Sequence, residues 1–170
     1  MNFKVGLTLT LACGLATSLP GLAAPQAAGT RALAFCQAMQ SAIQPFVKVP
    51  LGLFSSDDST TDEMHRGESH YVHCQFRQKD NSMIDVGLHD DTDGLFDDAS
   101  KAGYATLPGF GDRARYTVRG SAGQKWLDVV RGKVACEARF GLDDNGAPLN
   151  GDWKEVGGKV CTAALAQPST

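Results

Sequence analysis

The chain gathers three of its four histidines in one short run, Met64-His65-Arg66-Gly67-Glu68-Ser69-His70-Tyr71-Val72-His73. Thioether and imidazole donors together suit copper or zinc. His70 and His73 fall in a strand pattern an odd number of positions apart, so they face opposite sides and cannot share one ion without a bulge. Two acidic runs, Asp90-Asp91-Thr92-Asp93-Gly94 and Asp143-Asp144-Asn145-Gly146, raise calcium. Aligning Gly94 with the glycine of a calcium loop puts His89 at the first ligand position and Ser100 at the twelfth, where Asp and Glu are needed. The second run fails similarly and reads as turn chemistry. Ser121 has Arg119 where a nucleophile elbow needs glycine. Several carboxylates could pair for acid–base work, but nothing in their spacing selects two. The expectation is therefore no metal, no cofactor and no catalytic residue.

The five cysteines carry more information. Cys13 lies in an N-terminal stretch that reads as a secretory signal. Lys4 supplies the positive charge, Val5 to Thr17 the apolar core, and Gly21, Ala23, Ala24, Ala27 and Ala28 the small residues around a cut. Cleavage after Ala23 is expected, with a site as late as Ala28 as the alternative. Thr8, Thr10, Thr17, Ser18 and Pro20 interrupt the apolar stretch, so no stable membrane span is expected. A lipid anchor on Cys13 would need leucine where Thr10 stands, and would leave the small-residue cluster unexplained. Cys36, Cys74, Cys136 and Cys161 remain, an even number suited to two disulfides in an oxidising compartment, periplasmic or extracellular. The full chain has a net charge of −3, one unit more negative once Lys4 is removed. That balance argues against a nucleic-acid partner, since phosphate neutralisation dominates such binding. About 145 remaining residues make one ordinary domain, expected over 30–166.

The elements that must position these residues follow from periodicity. Thr30 reads as an N-cap for a helix over Arg31–Ile43 with Leu33, Cys36, Met39 (or Gln40) and Ile43 on its buried stripe, stopped by Pro45. Phe46–Leu53, carrying Pro50 and Gly52, fits a short edge strand. Residues 55–69 are polar and acidic, an expected long mobile loop. In the strand His70–Arg77, Val72, Cys74 and Phe76 alternate with Tyr71, His73, Gln75 and Arg77. Ile84, Val86 and Leu88 form the apolar side of the next strand, after a turn at 79–82, and Leu95–Ala102 fits a short helix. A glycine loop, Leu107-Pro108-Gly109-Phe110-Gly111-Asp112, leads into Arg113–Arg119. Lys125–Arg131 and Val134–Phe140 follow as alternating strands. Asp152 caps a last helix whose Trp153, Val156, Val160, Cys161 and Ala164 share a side. Its Gly157-Gly158 pair fits a close approach to the sheet.

The fold class expected is α+β: a single antiparallel β-sheet with the N- and C-terminal helices packed on one face and two disulfides. Cys74 and Cys136 both fall on apolar strand faces, which favours Cys36–Cys74 with Cys136–Cys161. The rival, Cys36–Cys161 with Cys74–Cys136, needs adjacent helices and neighbouring strands. The opposite face then collects Tyr71, His73, Arg77, Arg113, Arg115, Arg119, Trp126, Asp128, Glu137 and Arg139. Arginine and aromatic residues are enriched among interface anchors, so Tyr71, His73, Arg77, Arg113, Arg115, Trp126 and Arg139 form the expected binding set.

In Cys36, Cys74, Pro108-Gly109-Phe110-Gly111-Asp112-Arg113-Ala114 and Leu127–Val130 the chain resembles small exported bacterial proteins with a "GlGD-A" segment. These include mycobacterial lipoproteins and the extracellular sensor domain of a mycobacterial serine/threonine kinase. The resemblance implies an α+β sensor or binding fold and transfers no catalytic residue; the second cysteine pair is placed differently here. The function expected is that of a non-enzymatic exported binding protein engaging another protein, such as an inhibitor or immunity protein against a toxin or cell-wall hydrolase. The acidic charge would speed association with basic hydrolases. The alternatives are a sensor of a small ligand or anion, a small anionic ligand included, with a cleft near 107–112, and a hydrolase with an unrecognised site.

Overall fold

The computed structural model describes residues 29–78, 83–91, 103–119, 123–141 and 149–167. The signal segment with Cys13, the turn at 79–82, the expected helix at 95–102, Ser100, Ser121 and the run at 143–146 lie outside them. Helix α1 (Thr30–Ile43) and a 3₁₀ turn (Gln44–Phe46) precede β1 (Gly52–Asp58), β2 (Val72–Arg77) and β3 (Met83–Asp90). Then come β4 (Ala105–Thr106), β5 (Arg113–Arg119), β6 (Gln124–Arg131), β7 (Val134–Gly141) and α2 (Trp153–Leu165). The strands form one seven-stranded antiparallel sheet in the order β1-β2-β3-β7-β6-β5-β4. It consists of two meanders, β1-β2-β3 and β7-β6-β5-β4, joined where β3 pairs with β7. A helix flanks each meander in sequence: α1 contacts β1 and β2, α2 contacts β6 and β7, and the helices touch.

Alternation decides which face is covered. Cys74, Val86, Ala138 and Leu127 are successive cross-strand partners from β2 to β6, and all four are fully buried beneath the helices. Phe76, Ile84, Phe140 and Val129 extend that core. The disulfides are Cys36–Cys74 and Cys136–Cys161, with Cα separations of 5.5 and 5.4 Å, so each helix is stapled to its own meander. The rival pairing is impossible because β3 separates Cys74 from Cys136. Closing loops of 38 and 25 residues would stabilise the fold by about 3.5–4 kcal/mol each in the chain-entropy description.

Several local expectations are corrected. The buried stripe of α1 is Ala32, Cys36, Met39 and Ile43, whereas Leu33 is 42% exposed. The N-cap is Gly29 in the left-handed region (φ 100°), one position before Thr30, and it provides no side-chain cap. Burial of the Asp58 carboxyl in β1 raises its pKa, but hydrogen bonds from Thr60 outweigh it and, with the Ala32 N–H and Arg31 of the first turn of α1 nearby, hold it below its usual range. The edge strand begins after Pro50, which has no N–H to pair, and takes in Ser55–Asp58, the first residues of the expected loop. An edge strand is held by its backbone ladder to β2, so a polar run can form it. The remainder of that loop is tied down. Asp58 accepts from the Thr60 amide (2.9 Å) and hydroxyl, the Asp62 amide donates to the Asp58 carbonyl (2.9 Å), and the Met64 amide donates to Asp62 (2.9 Å).

The glycine loop serves packing. Gly111 (φ 55°) passes so close to β6 that a Cβ would lie 2.5 Å from the Val130 carbonyl oxygen. Asp112 then accepts from the Gly132 amide (2.7 Å), fixing the turn between β6 and β7. Phe110 covers Gly158 of α2, while Gly157 meets Leu127 and Phe140 of the sheet, as the glycine pair leads one to expect. A Cβ on Gly158 would lie 2.5 Å from the Phe110 ring. Gly158→Ala should therefore destabilise the fold by the roughly 1–3 kcal/mol typical of overpacking and lower Tm accordingly, despite alanine's helical advantage. On a Phe110→Ala background the same substitution should become stabilising. Equal effects in both backgrounds, measured by thermal unfolding, would show that the ring is not the obstacle.

Candidate functional site

The uncovered face of the sheet carries charged residues in register. One row runs His73, Gly87, Glu137, Asp128, Arg115 across β2, β3, β7, β6 and β5. The row beside it runs Gln75, Asp85, Arg139, Trp126, Thr117. On the other side His89, Ala135, Val130 and Arg113 form a third. Gly87 has no side chain and Ala135 a short one, so the face is hollow between His73 and Asp128. The hollow is a cavity of about 350 Å³, lined by residues of all three rows.

Two aromatic groups wall it. On the β2 side the His65 and Tyr71 rings stack with centres 3.9 Å apart. His65 Nδ1 meets Glu68 at 2.7 Å, and burial together with a hydrogen bond to Asp62 pushes the Tyr71 hydroxyl pKa up. On the β5 side the Arg115 guanidinium lies 4.1 Å from the Tyr104 ring centre. Burial, reinforced by the Asp128 charge, raises the Tyr104 pKa.

At the centre Asp128 and Glu137 stand directly opposite each other on β6 and β7. Like charges in that position are unfavourable. Each has an arginine: Arg115 Nε donates to Asp128 Oδ2 at 2.7 Å, and Arg139 is ion-paired with Glu137. Burial still pushes the Asp128 carboxyl above its usual range against the pull of Arg115. It does the same to Glu137 against Arg139, with Asp128 adding to the rise. The Asp128 side chain is only 9% exposed, and its Oδ1 has no hydrogen-bond partner. Asp85, outside the cavity wall, is also raised by burial, against His73, Arg139 and Arg77.

The binding set expected from the sequence divides at this point. Tyr71, His73, Arg115 and Arg139 line the cavity. Trp126 supports it from beside, between Arg139 (3.9 Å) and Arg119 (4.7 Å). Arg77 lies over the Phe54 ring at 3.5 Å, towards the β1 edge, and Arg113 reaches Asp91 at 3.4 Å on the rim. Val118, which shares strand parity with the buried Ala114 of β5, is nevertheless 56% exposed. No residue of the loop 107–112 lines this cavity. His65, Gly87, His89 and Tyr104 line the cavity but were absent from the binding set. The alternation of Met83–Asp90 carries the signal for Gly87 and His89. Tyr104 precedes a two-residue strand with no period to reveal it.

The His-rich run is divided between places. His65 and His73 face the cavity, while His70 Nδ1 contacts Asp90 Oδ1. Ser69 Oγ lies 2.8 Å from the same Nδ1 and donates to Asp90 Oδ2 at 3.1 Å. In a nucleophilic triad the serine and the carboxylate engage opposite ring nitrogens. Here both meet Nδ1, so the cluster fastens the loop to β3, assisted by Arg31 donating to the Ser69 carbonyl at 2.7 Å. Burial raises the Asp90 pKa, but hydrogen bonds from His70 and Ser69 outweigh it and hold the carboxyl below its usual range. Among the described residues no group of three or more His, Cys, Asp or Glu side chains is disposed to hold a metal ion. No described helix is long and apolar enough to cross a membrane. No family model matches the chain, and neither a curated protein nor a solved structure does.

The raised carboxylates set the sign of one pH dependence. A carboxyl with a folded pKa above its unfolded value contributes stability below the unfolded value, near 4.5 for glutamate, and loses it as pH rises through the folded pKa. Glu137→Gln removes that loss. Its Tm should fall less than that of the wild type between pH 4 and 7.5, and exceed it at pH 7.5. Parallel Tm–pH curves would show that Glu137 ionises freely in the folded protein.

Proposed function

We propose that this chain is a non-enzymatic exported binding protein whose ligand is a small polar molecule seated in the cavity of the open sheet face. The observation carrying it is the cavity itself. About 350 Å³ falls within the usual range of small-ligand sites, and its floor and walls hold ionisable groups in fixed cross-strand register. The two disulfides support maturation in an oxidising compartment, periplasmic or extracellular. The resemblance to an extracellular sensor domain points the same way. An inhibitor that blocks a hydrolase offers a projection to the enzyme's cleft. Here the concavity belongs to this chain, which favours receiving a ligand over plugging a partner.

Gly87 provides the test. It is extended, and a Cβ there would meet only His73 at 3.5 Å and the Val72 carbonyl at 3.7 Å, both ordinary contacts. Gly87→Leu should therefore fold and fill the hollow. In a thermal-shift screen of small polar metabolites, ligands should raise the wild-type Tm and leave Gly87→Leu unmoved. A ligand at a hundred times its Kd stabilises by about 2.7 kcal/mol, ample for detection. Equal shifts in both proteins would place the binding surface elsewhere. Recovery of a stoichiometric protein partner by wild type and Gly87→Leu alike would favour a protein-binding role.

A second reading, acid–base hydrolysis, is favoured by the facing carboxylates Asp128 and Glu137, both with raised pKa values. Turnover of chromogenic glycosides or esters, lost in both Asp128→Asn and Glu137→Gln, would replace the binding reading with this one.

A further inference from the structure

Each guanidinium at the cavity already has a ring and a carboxylate beside it: Arg115 lies over Tyr104 and donates to Asp128 Oδ2, while Arg139 lies over Trp126 and is ion-paired with Glu137, although its buried Nε makes no hydrogen bond. The acceptors are not used up. Asp128 is more than nine-tenths buried, lines the cavity, and keeps Oδ1 without a hydrogen-bond partner. An ionised carboxylate only accepts, so this oxygen calls for a donor. A buried acceptor left without one costs about 1–3 kcal/mol, and more when charged. Glu137 stands directly across from it, so a donor placed between the two strands meets two carboxylates at once. The mutual repulsion of the pair is relieved best by a donor that also brings positive charge. Tyr71 and Tyr104, walling the cavity on opposite sides, offer aromatic surface to the rest of such a ligand.

Resting on the small-ligand reading of the cavity, we infer that its ligand presents a cationic nitrogen, an ammonium or guanidinium group, to the facing carboxylates of Asp128 and Glu137. Asp128 accepts the first hydrogen bond through its unpartnered Oδ1, which is closed off from solvent and turns toward the cavity to do so, and Glu137 supplies the second negative charge.

Binding by calorimetry and thermal shift at pH 7.5 decides it, with probes matched in size but not in charge. The cations are 1,4-diaminobutane, agmatine and glucosamine; the neutral counterparts are 1,4-butanediol and glucose; the anion is succinate. At least one cation should bind tenfold or more tightly than its neutral counterpart, and succinate should not bind. Asp128→Asn keeps the shape of the side chain and should weaken that cation at least tenfold. Glu137→Gln, which retains the Asp128–Arg115 pair, should do likewise. Asp85→Asn, on the same face but outside the cavity wall, should leave affinity unchanged. If neutral probes or succinate bind as well as the cations, the cation claim is wrong. It is equally wrong if a ligand from the metabolite screen is lost in Gly87→Leu but retained in both Asp128→Asn and Glu137→Gln, although the cavity then remains the site. If neither the probes nor the screened metabolites distinguish wild type from Gly87→Leu, the cavity reading and the cation claim fail together.

Discussion

The pairing of β3 with β7 is the constraint on which the molecule depends. It joins two meanders that could otherwise form separate half-sheets, and it does so between strands far apart in the chain. Its register sets Val86 opposite Ala138 on the covered face and Gly87 opposite Glu137 on the open one. A slip of one residue would exchange the two faces of a strand, exposing apolar side chains and burying charged ones. The core thus protects the register, and the register builds the cavity. The disulfides reinforce this arrangement from the covered side, each tying a helix to the meander beside it.

The two faces follow different rules. On the covered face Phe76, Ile84, Leu127, Phe140 and their neighbours are fully buried and need only complementary shape. On the open face carboxylates are partly withdrawn from water next to arginines that offset the cost incompletely, as the upward shifts of Asp128 and Glu137 show. Local stability and arrangement conflict there, and such conflicts are expected at functional rather than structural sites. The Ser69–His70–Asp90 cluster is the contrast. Its hydrogen bonds outweigh burial and lower the Asp90 pKa, as befits a fastening.

Glycine does three separate tasks in this chain. At Gly111 a left-handed backbone and a close approach to β6 exclude any side chain. At Gly158 the space belongs to Phe110. At Gly87 the backbone is extended and a Cβ fits, so what matters is the volume left empty in front of it. The segment Pro108–Ala114 therefore accounts for loop, turn and helix packing, and the residues that line the cavity are marked by no short motif.

Period-two alternation was legible because one side of each strand must leave water. It assigns Tyr71, His73, Arg115, Trp126, Asp128, Glu137 and Arg139 to the face opposite the helices from the sequence alone. The same parity favoured Cys36–Cys74 and Cys136–Cys161. Parity, however, says which face a residue occupies and not which residues share a row. That needs strand order and register, set by backbone pairing between segments distant in sequence, and only they brought Gly87, Glu137 and Asp128 together. Local pattern failed in three places: Gly29 rather than Thr30 stands at the N-cap of α1, polar Ser55–Asp58 forms an edge strand through its backbone, and Leu33 lies outside the stripe that meets the sheet. The sequence alone determined the class of fold, the disulfide-bearing face and the charged face, because burial imposes a period on the chain. Tertiary structure alone decided the cavity and the facing carboxylates, because they arise from the pairing of distant strands.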